Sequence, residues 1–146
     1  MNKDTVVIER IYNSPISKVW RAITDKDEMK KWYFQLKDFK PEVGFKFQFY
    51  GGPEDGIQYL HLCEITEVIP EKKLTYSWRY DGYPGNSFVT FALEAQGDKT
   101  LLKLIHEGIE TIAPAGHDFA RGNFVEGWTY FVNTALKEYL EPSKNN

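Results

Sequence analysis

Few side chains in this sequence could do chemistry, and their spacing narrows the options further. His106 lies in the run TLLKLIHEG, alternating with Leu102 and Leu104, so it shares their inward face on a strand. An inward imidazole can orient a ligand through one ring nitrogen or act as a general base. It can equally be a core side chain satisfied by a neighbouring hydroxyl or backbone group. His61 and Cys63 share a strand face with Ile65 and offer two ligands toward a metal without a third. Cys63 is the single cysteine, so neither an internal disulfide nor a multi-cysteine metal site can form. Arg121 is a candidate anion contact: a helix running back past Gly122 would aim its planar fork at a cavity mouth. Gly122 favours a break there instead, which leaves Arg121 solvated. The sequence contains no Gly-rich phosphate loop in strand-then-helix context, no G-x-S-x-G elbow and no H-E-x-x-H pair. No cofactor and no metal are therefore expected.

The aromatic residues carry more information. There are 10 Phe, 9 Tyr and 4 Trp, enough large rigid surface for either a thick core or a lined pocket. Trp32, Phe45, Phe47, Tyr76, Trp78 and Phe91 are the candidate cavity walls among the rings outside the last helix. Leu104 and His106 join them from one strand, and Phe124, Trp128 and Val132 from the C-terminal helix. The competing reading is that the same rings interlock into a solid core.

These residues need elements to position them. TVVIERIY is a β-branched run suited to a first strand. In SPISKVWRAIT, Ser14 is the expected N-cap and Pro15 the first helical residue, with Ile16, Val19, Trp20 and Ile23 at helical spacing. TDKDEMKKWYF predicts a second short helix capped by Thr24 or Asp25, its KDEMKK stretch a solvated face. FKFQFY, IQYLHLCEITEVI, KLTYSWRY, SFVTFALEA and TLLKLIHEG then alternate as strands, separated by turns such as GGPEDG and DGYPGN. Short turns make neighbours antiparallel.

NFVEGWTYFVNTALKEYLE predicts a long final helix starting near Phe124, with Asn123 and Glu126 as a capping-box variant. Phe124, Val125, Trp128, Phe131, Val132, Ala135, Leu136 and Tyr139 fall in one arc of about 140° on a rod about 25 Å long. Gly127 interrupts this helix at a cost of about 1 kcal/mol, which predicts a backbone approaching closely beside Trp128.

The fold class is α+β: a curved antiparallel sheet of about six to seven strands, two short helices, and a long C-terminal helix covering the concave face. Four segments resemble one family in the right order. SPISKVWRAITDKDEMKKWY is similar to its Pro-led helix with a Val-Trp pair and a second helix ending in Trp. EVIPEKKLTYSW is similar to its Pro-x-x-x-Leu-x-Tyr-x-Trp strand, and TLLKLIHEG followed by GWTYFVNTALKEYLE to its Leu-x-His-x-Gly strand and Gly-Trp helix. This is the family named for the activator of heat-shock-protein-90 ATPase, in the SRPBCC or START-like (Bet v 1-like) superfamily. The resemblance spans about Val6 to Leu140 and implies the helix-grip fold around an internal cavity. It constrains function less, because one such fold hosts many roles. For the activator proper the resemblance implies a further amino-terminal domain, which is not expected within these 146 residues.

Length and charge set the remaining bounds. At 146 residues the expectation is one domain, 1–146, with a core at about 6–140 and a polar frayed tail at 141–146. A net charge of −3 with mixed signs supplies no basic stripe for nucleic acid. No segment reads as a signal peptide or membrane span, so the expected location is the cytoplasm. The leading functional reading is a non-enzymatic protein that binds or carries a hydrophobic small molecule, lipid-like or aromatic, in its cavity. The two short helices and the GGPEDGIQ turn would form the entrance. A protein-interaction module acting on a chaperone ATPase is the alternative, and a cyclase- or hydratase-type enzyme using His106 is the third.

Overall fold

The computed structural model describes residues 4–52 and 55–141. Residues 53–54 of the GGPEDGIQ turn and the tail beyond 141 lie outside the described residues. Six strands follow the alternation of the sequence: β1 (Val6–Tyr12), β2 (Lys46–Gly51), β3 (Tyr59–Ile69), β4 (Lys73–Tyr80), β5 (Ser87–Gln96) and β6 (Lys99–Glu107). They form one antiparallel sheet in the order β1-β6-β5-β4-β3-β2, which returns the first strand to the edge beside the last. In β4, Leu74, Tyr76, Trp78 and Tyr80 are buried while Arg79 is exposed, and in β6 Leu102, Leu104 and His106 point inward. Period two decides which side chains meet the core.

The short helices are α1 (Ile16–Thr24) and α2 (Lys26–Met29). Asp25 caps α2 as expected, its carboxylate accepting from Glu28 N at 3.1 Å. The start of α1 differs from expectation. Pro15 takes the N-cap position with extended backbone and no side-chain capping bond. Ser14 is buried with its hydroxyl unpartnered, while its carbonyl accepts from Thr100 Oγ1 at 2.8 Å. The pull toward β6 outweighs the local cap.

From β6 the chain runs through three 3₁₀ turns, Ile109–Thr111, Ala113–Ala115 and His117–Phe119, into the C-terminal helix. Thr111 clasps the β4–β5 turn: its hydroxyl lies 2.7 Å from Asn86 O and accepts from Asn86 N at 2.9 Å. The helix comprises α3 (Arg121–Tyr130), a π turn (Phe131–Ala135) and α4 (Leu136–Leu140). Its buried residues Phe124, Trp128, Val132, Leu136 and Leu140 recur every four positions. A pure α-helix would rotate that stripe by about 40° per step, and the wider π turn reduces the drift in its middle. There the Tyr12 hydroxyl donates to Val132 O at 2.6 Å, tying the helix to β1. Glu28 joins the other end, bound by Arg21 at 2.8 Å and by the Tyr139 hydroxyl at 2.8 Å. The rod lies across the concave side of the sheet, which is the helix-grip arrangement.

The helix begins at Arg121 with Ala120 as its N-cap, three residues earlier than the capping-box reading. Asn123 faces backward instead: its amide donates to His117 O at 2.9 Å and Asp118 O at 3.2 Å. The carbonyls of the last 3₁₀ turn hold that side chain, His117 O accepting from both Ala120 N and the Asn123 amide.

Candidate functional site: an aromatic cleft at one end of the sheet

The hollow between sheet and helix is largely filled. Tyr33 is the reason. It follows α2, and its ring stacks on Trp32 with centroids 4.9 Å apart and meets Phe131 edge-on at 5.0 Å. Its hydroxyl reaches the Tyr76 hydroxyl at 2.7 Å. Burial holds both phenols well above their ordinary pKa, so each is a neutral hydrogen-bonding group. Tyr76, Phe91, Leu104 and Val132 are buried in this core and border none of the three clefts described in this section. Phe45 is half-buried and meets Phe39 edge-on at 6.1 Å. Phe47 borders a second cleft beside β2, about 730 Å³ in volume and half polar in its lining, with Lys46, Cys63 and Arg79. Trp32 donates its indole N–H to Ala22 O at 2.8 Å and borders a separate groove against Ala135 and Tyr139. The anticipated residues do not border one common cleft: Tyr33, from the α2–β2 segment, packs between Trp32, Phe131 and Tyr76.

His106 is fully buried, with both ring nitrogens engaged. The Trp128 indole donates to Nδ1 at 3.0 Å, which leaves Nε2–H to donate to Ser87 Oγ at 2.8 Å; Ser87 in turn donates to Trp78 O at 2.7 Å. One tautomer satisfies the whole chain. Burial drives the His106 pKa down to about 3, so the ring is neutral with no free lone pair for base catalysis. Its geometry makes it a clamp between sheet and helix.

Open space remains at one end, beyond Trp78 and Trp128. A half-open cleft of about 510 Å³ lies between the ends of β2, β3 and β4, the last 3₁₀ turn and α3. Trp78, Phe124 and Trp128 are the anticipated residues that line it. The other rings in its wall are Phe34, Tyr59, Tyr80, Phe119, Tyr130 and Phe131. Phe34 stacks on Phe49 with centroids 4.2 Å apart, and Phe119 sits 4.6 Å from Tyr80 and 4.8 Å from Tyr59. The three consecutive aromatics WYF at 32–34 were the signal for Tyr33 and Phe34, since such a run leaves no polar face. Phe119 had no signal in its surroundings, because a lone ring between polar loop residues shows no period.

Two glycines shape the cleft. At Gly51 a Cβ would sit 2.8 Å from Phe34 Cε1 and 3.1 Å from His61 Cε1, so glycine lets both rings close on the end of β2. Gly127 does the opposite of what its cost suggested. A Cβ there meets nothing within 4 Å, and the residue lines the cleft, so it leaves room rather than admitting a backbone.

The polar lining is sparse. The Tyr59 hydroxyl donates to Asp118 Oδ2 at 2.6 Å, and that bond pushes the phenol pKa up to about 12. His61 stacks on Phe49 at 4.6 Å and donates from Nδ1 to Tyr59 O at 2.9 Å. Burial lowers its pKa to about 4 against the opposing pull of its backbone bonds. Cys63 is buried behind, its thiol pKa raised by burial. Among the described residues no group of three His, Cys, Asp or Glu is placed to hold a metal. Arg121 lies outside the cleft: the helix does extend past Gly122, but the guanidinium donates to Thr5 O at 3.3 Å, at the start of β1. Among the described residues no helix is long and apolar enough to cross a membrane.

Comparison with known proteins matches this architecture. Residues 13–141 fit the family model described as Activator of Hsp90 ATPase homolog 1-like protein. The chain is similar to the Hsp90 co-chaperone AHA1 of Saccharomyces cerevisiae (strain ATCC 204508 / S288c), 27% identical over 142 residues. That alignment covers 91% of this chain and 37% of the yeast protein, so the chain spans little more than a third of its relative. Among solved structures, protein MLL2253 of Mesorhizobium loti is 30% identical with a TM-score of 0.77, covering 96% of this chain and 98% of that one. CalU16 of Micromonospora echinospora is 27% identical with a TM-score of 0.72, covering 94% and 76%. Protein CV1439 of Chromobacterium violaceum shares the fold at a TM-score of 0.81 and 20% identity, covering 97% and 100%. With the family model matched over most of its length and the sheet gripping the terminal helix, the chain belongs to the Activator of Hsp90 ATPase homolog 1-like family of the SRPBCC or START-like superfamily.

Proposed function

We propose that this protein binds a small, mainly apolar molecule with an aromatic ring system in the cleft at the end of the sheet, without transforming it. The observation that carries the reading is an open, ring-lined space of about 510 Å³ bordered by Gly127 of α3, where an added Cβ would meet nothing within 4 Å. Rings that would fill a core on the far side of Trp128 leave their faces available on this side. Burying about 200 Å² of apolar ligand surface supplies about 5 kcal/mol before the cost of immobilising the ligand. Tyr59, Asp118 and Asn123 set orientation from the rim. The protein acts from the cytoplasm as one unit, holding its ligand out of water.

Gly127→Leu tests this directly. The new side chain projects into the cleft, and leucine favours the helix, so the fold should persist. Titration of an aromatic-compound panel, read by quenching of Trp78 and Trp128, should find a ligand that Gly127→Leu binds at least about tenfold more weakly. Equal affinity in the two proteins, or no quenching across the panel, rejects the cleft as the site.

The second reading is an interaction module that regulates a chaperone ATPase. It is favoured by the 27% identity to the co-chaperone AHA1 over nearly the whole of this chain. Adding the purified protein to Hsp90 from the same host should then change its rate of ATP hydrolysis, and an unchanged rate at saturating protein ends this reading.

A further inference from the structure

The charges around the cleft say what kind of aromatic molecule it takes. We infer that the preferred ligand is an aromatic organic cation, an amine or quaternary ammonium attached to a ring, seated with its charge toward Asp118 and Glu126. The inference rests on the binding reading above and narrows it to a ligand class. Asp118 and Glu126 line the cleft, whereas no lysine or arginine does. Glu126 is exposed on α3 and makes no ion pair or hydrogen bond among the described residues. Asp118 accepts from Tyr59 at 2.6 Å through Oδ2 only, which leaves capacity on its other oxygen. His117 approaches that oxygen from outside, at 3.7 Å, but is almost wholly exposed and does not line the cleft. Asn123 spends its amide hydrogens on His117 O and Asp118 O, so its free side-chain atom is a second acceptor on the same wall.

The imidazole of His61 is held neutral and adds no positive charge to the opposite wall. The remaining surface is rings, whose faces attract cations through their quadrupoles. An anion would meet two carboxylates and no lysine or arginine in the cleft wall, and a neutral ring would forgo both attractions.

Isothermal titration of the full chain with three probes sharing one ring tests this: naphthylmethyl trimethylammonium, naphthalenemethanol and naphthylacetate. The expected order is cation, then neutral, then anion, with the cation about tenfold tighter than the alcohol at low salt. In the double variant Asp118→Asn, Glu126→Gln the cation's advantage should fall to less than about twofold. Each ratio is taken within one protein, so a change in overall stability does not imitate the effect. Equal binding of all three probes overturns the charge preference while leaving the cleft a binding site. Binding by none of them at millimolar concentration overturns the cleft as an aromatic site as well. Tighter binding of the anion reverses the assignment.

Discussion

His106 shows how much one side chain can hold together. Its ring receives the Trp128 indole N–H and donates to Ser87, so it joins α3, β5 and β6 at one point. In His106→Ala the indole loses its acceptor and the site becomes a void. The expected loss is about 3–5 kcal/mol, read from the urea midpoint at constant slope. A loss below about 1 kcal/mol means that water or a neighbour replaces the ring. The inward direction of His106 was legible from its alternation with Leu102 and Leu104. Its partners were not, because they stand 22 and 19 residues away and sequence pattern records direction, not distant neighbours.

At the scale of elements, the helix is where pattern and structure both agree and part. The buried stripe from Phe124 to Leu136 follows the apolar arc read from the sequence. The π turn, the early start and the role of Gly127 did not show, since each answers a tertiary demand: a hydroxyl from β1, the carbonyls of a 3₁₀ turn, and an open cleft. Two substitutions separate these demands. Gly127→Ala should raise stability by up to about 1 kcal/mol, because its methyl meets no neighbour, while narrowing the cleft. Tyr12→Phe should lower stability by about 1–2 kcal/mol by withdrawing the hydroxyl from Val132 O. Thermal denaturation decides both. A destabilised Gly127→Ala would show that the backbone there needs glycine for its own sake. The strands were the most legible elements, because each shows one buried face and short turns fix their order. The cap of α1 was misread by one position, since Ser14 answers to β6 through its backbone rather than to its own helix.

The whole molecule should respond to acid through its buried histidines. Unfolded, His61 and His106 titrate near the ordinary histidine value of 6.5; folded, burial lowers them to about 4 and about 3. Between those values the unfolded chain carries more protons, so stability rises with pH. The contribution is complete above 6.5 and is lost as pH falls toward 4 and then 3. The slope approaches about 1.4 kcal/mol per pH unit for each histidine. Urea unfolding between about pH 7 and about pH 4.5 should give a histidine uptake close to about two protons, and His61→Phe should remove one of them. An uptake near one proton would mean that one of the rings is charged in the folded state, and a flat profile that both are. The architecture was legible in outline, from the antiparallel neighbours to the gripping helix, but the pairing of β1 with β6 was not, because no turn joins them. Nor was the size of the hollow. Alternation says that Tyr76 or Phe91 points inward, but whether Tyr33 reaches across to meet them depends on the path of a loop.

β1 has β6 as its one neighbour in the sheet, with Val6 opposite His106, and its last residue and α1 bond to the C-terminal helix: Tyr12 to Val132 and Lys18 to Leu140. On the ribosome, the first strand therefore emerges long before anything it can pair with. At synthesis rates of about 5–20 residues per second, roughly 5–20 s separate the appearance of the two partners. The nascent chain must keep a β-branched, aggregation-prone segment unpaired for that interval, and the fold can close only after the last helix has been translated.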